Sequence, residues 1–311
     1  MRAASAIALV LAISCGGVAS AATINAVNVI EHVNAVIYGS ATTQADIEGQ
    51  AIIGGSYSGA SMYNNPPATP YAGYGALTVY GATSGNPINI NNGGSAYVGG
   101  AKGEIINFNG GGHYLSSAPD TITDFASALN AYSTALSSLT ANSTLPSAGN
   151  NEIILAHPDA RGVAVFNLTT AQLAAIPSYS INLNGASTVL FNVSGASLTF
   201  NANEQFANQN AFLADTGAVI WNFYQATSLT FGTQIAGTVL APHAAVTNNN
   251  QIDGALVAAS WSGHGELHDN LFHGVNPIAT PEPGTWAMML IGAAGVGAGL
   301  RRQRRRAAAT A

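Results

Sequence analysis

Two stretches of this chain repeat each other and decide its fold. Val189–Phe200 reads VLFNVSGASLTF, and Val219–Phe231 reads VIWNFYQATSLTF. In each stretch an apolar run ends in asparagine, and a Ser-Leu-Thr-Phe segment follows after a short turn. A second pair, Gly237–Ala241 (GTVLA) and Gly254–Ala258 (GALVA), starts seventeen residues apart. Short apolar runs closed by glycine and asparagine are typical of β-strands joined by tight turns.

Degenerate repeats of this kind predict coils stacked as a parallel solenoid, because each unit buries its apolar side only against its neighbours. A weaker repeat, Ile53–Gly55 with Val98–Gly100, extends the pattern toward the N-terminus. We therefore expect a mainly β fold built as a right-handed parallel β-solenoid. The offsets between the repeats are not constant, which leaves an antiparallel β-sandwich as the alternative.

One long helix interrupts the strands. Its apolar residues recur at spacings of three and four, which places them on one helical face; they are Ile122, Phe125, Leu129, Tyr132, Leu136 and Leu139. The pattern predicts an amphipathic helix over about residues 120–140 that packs on an apolar surface. Ser117 and Asp120 have the spacing of a capping box, and Pro119 fits the first turn. Asp120 and Asp124 suit the positive end of the helix dipole.

The first 21 residues have the features of a secretory signal peptide. An arginine precedes the apolar stretch Ala6–Ile13, and Ala19–Ala21 is a small-residue cleavage site. The alternative is a lipoprotein acylated at Cys15, although the preceding residues fit that poorly. Cys15 is the single cysteine. The exported domain, residues 22–279, must therefore be stabilised by burial and hydrogen bonds without disulfides.

The tail, residues 280–306, has three parts. It consists of Pro281, Glu282 and Pro283, an uncharged run from Gly284 to Leu300, and the arginines Arg301, Arg302, Arg304, Arg305 and Arg306. The uncharged run is at the lower limit of a membrane span, about 17–25 residues, and the arginines form a stop that stays in the cytoplasm.

This order of parts is similar to the PEP-CTERM sorting signal of Gram-negative bacteria. The resemblance implies recognition by an exosortase and cleavage near the Pro-Glu-Pro motif. The chain would then contact the inner membrane transiently through its tail, and the domain would be delivered to the cell surface or the extracellular matrix. A permanent single-span anchor is the alternative.

The exported domain is strongly acidic. Lys102 and Arg161 face thirteen Asp and Glu residues between positions 22 and 280, so the net charge is 2 − 13 = −11. Such a domain cannot hold a nucleic-acid phosphate backbone, and anionic lipid surfaces repel it. Neutral sugars and divalent cations remain as candidate ligands.

Several further segments are spread over residues 28–274. They are Asp46–Gly49, Ile53–Gly55, Trp221–Phe223, Gly237–Pro242, Ile252–Gly254, Gly265–His268 and Phe272. Together they resemble the bacterial choice-of-anchor A domain, which implies a surface or adhesin-like protein without a defined activity. The coils with one long helix are also similar to the ice-binding β-solenoid proteins. Ice binding calls for ranks of threonine on a flat face, and Thr42-Thr43 and Thr169-Thr170 form no regular ladder in the sequence.

Candidate metal ligands concentrate near the end of the domain. They are His264, Glu266, His268, Asp269 and His273. Imidazole and carboxylate groups bind zinc, but their spacing here matches no standard zinc pattern, and a hydrogen-bonded closing turn is the alternative. Asp46-x-Glu48-Gly49 comes nearest to a calcium loop. We expect no cofactor, and calcium is the alternative that the sequence leaves open.

The sequence contains neither a G-x-S-x-G nucleophile turn nor a phosphate-binding loop, so we expect no enzyme. A cleft lined by convergent carboxylates such as Glu152, Glu204 or Glu266 would instead indicate an enzyme that acts on extracellular polysaccharide. The sequence predicts an exported structural or adhesive protein of the biofilm matrix. It would associate with exopolysaccharide through an anionic face rich in Asn, Ser and Thr, directly or through divalent cations.

Overall fold

The computed structural model describes residues 24–59, 61–207 and 212–278. In these ranges the chain winds through three columns of short strands, and every strand pairing there is parallel. The predicted parallel β-solenoid is therefore confirmed, and the antiparallel sandwich is wrong. The repeats stack in register: Val189 lies beside Val219, and Ser197 lies beside Ser228. Their offsets vary because the loops between strands differ in length.

Each coil passes through the first, second and third column in turn. The first column consists of β1 (Ala35–Ile37), β3 (Ala51–Ile53), β6 (Leu77–Val79), β8 (Ala96–Val98), β11 (Val163–Thr169), β13 (Thr188–Ser194), β16 (Val219–Asn222) and the first halves of β19 (Thr238–Asn248) and β21 (Leu256–Gly263). The second column consists of β2 (Ala41–Thr43), β4 (Tyr57–Ser58), β14 (Ser197–Phe200), β17 (Ser228–Phe231) and the second halves of β19 and β21. The third column consists of β5 (Ser61–Met62), β7 (Ile88–Ile90), β9 (Ile106–Phe108), β10 (Glu152–Leu155), β12 (Ser178–Asn182), β15 (Asn203–Phe206), β18 (Ile235–Ala236), β20 (Ile252–Asp253) and β22 (Leu267–His268).

The N-terminal strand lies in the middle of the solenoid. The first column has the order β11-β13-β16-β19-β21-β1-β3-β6-β8, so β1 pairs with β21 on one side and β3 on the other. The chain winds from β1 toward one end, which we call the β9 end. Helix α2 (Ile122–Ser137) then connects to the opposite end, the β10 end, and the chain winds back until β21 reaches β1.

Helix α2 covers the outer side of the first column, as predicted. Phe125, Leu129 and Leu136 are fully buried in one apolar cluster with outward residues of the strands, and Ile122 and Leu139 pack against the same cluster. First-column strands such as β1 and β3 are consequently buried on both sides. The helix rises about 24 Å along its axis, whereas nine strands span about 38 Å. The segments that flank α2 cover the remaining distance. The short helix α1 (Ala26–Ile30) packs beside it.

The predicted cap of this helix is wrong in position. Thr121 is the N-cap, and it forms a capping box with Asp124 instead of the expected pair Ser117 and Asp120. The side chain of Asp120 accepts a hydrogen bond from the Tyr74 hydroxyl at 2.7 Å. This contact holds Asp120 outside the helix, so Pro119 also precedes the first turn.

Two asparagines from the repeated stretches attach α2 to the first column. Asn222 Nδ2 donates to the Ser133 carbonyl at 3.0 Å and to Asn192 Oδ1 at 2.8 Å. Asn192 Nδ2 in turn donates to the Leu136 carbonyl at 2.8 Å. Both asparagines are buried, so these bonds fix the position of the helix along the coils.

Two short helices complete the described part of the chain. Helix α3 (Thr170–Ala174) takes the place of a second-column strand in its coil, so that column ends at β14. Helix α4 (Phe212–Thr216) precedes β16. No helix in residues 24–59, 61–207 or 212–278 combines the length and the apolar character needed to cross a membrane. The predicted signal peptide and sorting tail lie outside the described residues.

Candidate functional site

The outer surface of the second column carries two rows of small side chains. Inward and outward positions alternate along each strand, so the outward residues flank the buried Leu198, Leu229 and Val246. The first row is Thr199, Thr230, Thr247, Ser262, Thr42, Ser58 and Ser84. The second row is Ser197, Ser228, Ala245, Ser260, Ser40, Ser56 and Ala82. We call these fourteen positions the hydroxyl face.

The hydroxyl face is continuous over seven coils. Direct strand pairs join the first row from Thr199 to Ser58, and the Tyr57–Thr83 bridge places Ser84 at its end. Five of seven positions in the second row and all seven in the first are serine or threonine, and the remaining two are alanine. All fourteen are exposed or half-buried.

The geometry of the hydroxyl face is that of a regular array. Neighbouring coils in a sheet lie about 4.8 Å apart, and alternate residues of a strand lie about 6.7 Å apart. Each hydroxyl both donates and accepts hydrogen bonds. None of the fourteen residues is charged. The surface can therefore form many weak, neutral hydrogen bonds at once.

The array is hard to recognise in the sequence, because its hydroxyl residues are not adjacent along the chain. Thr42 belongs to the first row, but Thr43 is buried and Thr169 lies in the first column. The rows form only when coils stack, since each strand contributes one hydroxyl to each row. The repeated Ser-Leu-Thr-Phe segment is the one signal of these rows in the sequence, since its serine and threonine occupy the second and the first row.

The third column carries a group of acidic side chains around one histidine, which we call the acidic face. It consists of Asp46, Glu48, Asp253, Glu266, Asp269 and His268. Asp253 is buried, and the others are exposed or half-buried. Asp253 lies beside His268 in the strand register. The bridge between Ile47 and Leu267 brings Glu48 to the other side of that histidine. Carboxylates from three neighbouring coils thus surround one imidazole.

His268 lies between two carboxylates. Its Nδ1 is 2.5 Å from Asp253 Oδ1, and its Nε2 is 3.0 Å from Glu266 Oε2. The hydrogen bond with Asp253, supported by Glu266 and opposed by partial burial, raises the pKa of His268 to about 9. A metal ligand needs an unprotonated imidazole nitrogen. Metal binding at His268 would therefore have to displace a carboxylate and a proton.

The other metal candidates lie apart from this pair. The Asp269 backbone N–H donates to Glu48 Oε2 at 2.8 Å, and those of His264 and His273 donate to main-chain carbonyls. Of the five candidates, only Glu266 and His268 are joined by a side-chain hydrogen bond in the described structure. No three His, Cys, Asp or Glu residues of the described ranges are grouped so as to hold a metal ion. The expectation of no cofactor, with calcium left open, stays a prediction.

The three carboxylates considered for catalysis come from separate segments of the third column. Glu204 is buried, and its Oε2 accepts a hydrogen bond from the Ala236 N–H at 2.8 Å, where β15 and β18 meet without pairing. Burial raises the pKa of Glu204 well above its usual value. Glu152 lies on β10, with β12 between it and Glu204, and Glu266 belongs to the acidic face.

The acidic face should make stability depend on pH. Burial, with the charge of Glu48, raises the pKa of Asp269 from 3.8 to about 8. The folded chain therefore holds this proton more tightly than the unfolded chain, and its contribution to stability is present below about pH 4 and lost as the pH rises through 8. His268 likewise stabilises the folded state fully below pH 6.5, and this stabilisation is lost as the pH rises through the raised pKa of about 9. We expect the free energy of unfolding to fall from pH 4 to 9.

The variant Asp269→Asn has no carboxyl group to ionise at this position. It should therefore lack the decrease in the free energy of unfolding that Asp269 causes between pH 4 and 8. At pH 8.5 it should be more stable than the unsubstituted protein by about 1–3 kcal/mol, the usual cost of a buried polar group without a partner. Denaturant unfolding at pH 5 and 8.5 measures the difference. An unchanged pH slope in the variant would show that Asp269 ionises normally.

Two family models match the chain. One is described as a putative ice-binding-like adhesive domain and matches residues 26–269, and the other is the PEP-CTERM protein-sorting motif and matches residues 279–306. The second match confirms the sorting signal that the sequence predicts. The first description is not that of the choice-of-anchor A domain, so that resemblance remains an expectation.

Three of the solved structures that resemble this one are ice-binding proteins. One from the Antarctic ascomycete Antarctomyces psychrotrophicus is 14% identical, with a TM-score of 0.42 over 79% of this chain and 98% of that one. One from an Antarctic biological consortium is 13% identical, with a TM-score of 0.35 over 85% and 95%. One from an Antarctic Flavobacteriaceae bacterium is 15% identical, with a TM-score of 0.37 over 77% and 65%. No curated protein gives a significant match.

Proposed function

This chain belongs to the family of putative ice-binding-like adhesive domains, and from that premise we propose that its hydroxyl face adheres to exopolysaccharide in the extracellular matrix. The sorting motif implies export to the envelope of a Gram-negative cell and processing by an exosortase-type enzyme. The observation that supports an adhesive role is the array itself, twelve serines and threonines in register over seven coils.

A rigid array is suited to a repeating ligand. One neutral hydrogen bond contributes about 0.5–1.5 kcal/mol net, so a single contact is weak. Backbone pairing on both sides holds the strands between the two ends of the array, and little ordering entropy is lost when many hydroxyls bind at once. An extended polysaccharide presents hydroxyls at regular intervals and would engage several coils together. The resemblance to choice-of-anchor A surface proteins agrees with this role.

Two mechanisms of polysaccharide binding make different predictions. Hydrogen bonds at the uncharged hydroxyl face are screened little by salt, whereas bridging through calcium on the acidic face needs the cation and weakens in salt. We expect cosedimentation of the protein with purified matrix exopolysaccharide to change less than about twofold on adding EDTA or 1 M NaCl. Loss of binding in EDTA would instead support the calcium-dependent module. Shortening of the polysaccharide during the assay would support the enzyme.

Ice is the second candidate ligand, because the family description names it and the same flat array would be used. The test is incorporation of fluorescently labelled protein into a slowly growing ice hemisphere, measured beside the polysaccharide assay. The proposal expects retention on polysaccharide and exclusion from ice. Incorporation into ice without retention on polysaccharide would replace it with the second candidate.

A further inference from the structure

The two terminal coils of the solenoid carry four of the five large apolar side chains that are exposed in the described residues. Five large apolar side chains are exposed among the described residues: Ile105, Tyr114, Ile153, Leu155 and Val275. The first two belong to the last coil at the β9 end, and Ile153 and Leu155 belong to β10. Terminal coils of solenoid proteins are normally polar on the outside, since they must keep the open edge soluble.

Both ends also leave backbone hydrogen-bonding groups without a strand partner. Among the described strands, β9 pairs on one side only, with β7, and β10 pairs on one side only, with β12. Such edges add further strands readily unless charges or loops block them. On β10 the exposed Ile153 and Leu155 lie beside Ser180 and Asn182 of the next coil. The outward side chains of the third column therefore change from polar to apolar at the terminal strand β10.

The two ends are complementary in direction. The coils wind in one sense from the β10 end to the β9 end, and all the strands are parallel. A second copy placed on the β9 end by its β10 end therefore continues both the winding and the parallel pairing. The β9 end carries one charge of each sign, Lys102, whose Nζ lies 3.9 Å from the Tyr114 ring centroid, and Glu104. Strand β10 carries Glu152 as its one charged residue, so Lys102 is the cation that Glu152 could pair with.

We propose that copies of this chain stack end to end, with the β9 end of one copy on the β10 end of the next. In this arrangement Ile105 of one copy faces Ile153 and Leu155 of the other, and both open edges gain a strand. The contact is between unlike surfaces, and a contact of this kind generates open filaments rather than closed dimers. Stacking would also align the hydroxyl faces of successive copies, but it does not depend on what that face binds.

Native mass spectrometry of the full-length chain in a non-ionic detergent tests the proposal. The unsubstituted protein should form dimers and longer species whose share grows with concentration. Ile105→Lys blocks the β9 end, and Ile153→Lys with Leu155→Lys blocks the β10 end. Each blocked protein alone should associate at least about tenfold more weakly. Val275→Lys, which places the same charge away from both ends, should associate as the unsubstituted protein does.

Mixing the two blocked proteins separates this arrangement from its alternatives. Each retains one free end, and the two free ends are complementary, so the mixture should form one-to-one dimers and nothing longer. Dimers of either blocked protein alone would show a contact between like ends. If all variants associated equally, the association would have to come from the tail, residues 280–306, which every variant retains. A monomeric unsubstituted protein at about 100 µM, a concentration at which even weak specific contacts populate dimers, would also overturn the proposal.

Discussion

Replacing Trp221 with alanine should lower the free energy of unfolding by about 3–5 kcal/mol, the usual cost of truncating a buried tryptophan. The indole is fully buried and stacks on Phe191, with ring centroids 4.0 Å apart and an interplanar angle of 11°. Phe191 in turn stacks on Phe166 at 4.8 Å. These three rings belong to three successive coils, so the cavity would open between coils that have no disulfide to hold them. Denaturant unfolding followed by circular dichroism measures the loss.

Trp221→Phe is the matched control. It retains a ring against Phe191 but removes the hydrogen bond from Nε1 to the Ala236 carbonyl, which is 3.0 Å long. The expected loss is about 1–3 kcal/mol, since a buried acceptor is left without its partner. Equal losses for the two variants would show that the hydrogen bond, and not ring stacking, carries the contribution of this residue.

The stacking register was predictable because equivalent positions of stacked coils have the same surroundings. Asn192 and Asn222 are the clearest case: both end an apolar run in the sequence, they are neighbours in the structure, and both bond to α2. The apolar period of α2 was similarly informative, since the whole face is buried on one flat column.

Contacts between distant parts of the chain were not predictable from local patterns. The predicted cap of α2 is wrong in position because Tyr74 and Tyr80, forty or more residues earlier, both donate hydrogen bonds to Asp120. No local sequence pattern indicates that β1 lies between β3 and β21, because β21 is more than two hundred residues away from β1 along the chain. The hydroxyl face depends on the same placement. Its two halves come from opposite ends of the sequence and become continuous only where Thr42 meets Ser262.

The second large effect should follow from a bulky residue at the centre of the hydroxyl face. Ser262 is exposed and lies in the middle of the first row. A tyrosine there would stand above the flat surface and hold a repeating ligand away from the neighbouring coils, because the strands are too rigid to adjust. We expect Ser262→Tyr to reduce the affinity for exopolysaccharide at least about tenfold, or about 1.4 kcal/mol. The unfolding midpoint should stay close to that of the unsubstituted protein, since the site is on the surface.

The most direct test of the adhesive role is the adsorption isotherm of Ser262→Tyr beside that of Gln251→Tyr. Gln251 precedes β20 in the third column, so its variant adds the same ring to a different face of the neighbouring coil. The account predicts that Gln251→Tyr adsorbs to exopolysaccharide as the unsubstituted protein does, while Ser262→Tyr loses at least about tenfold. Full adsorption by Ser262→Tyr, or an equal loss in both variants, would contradict it.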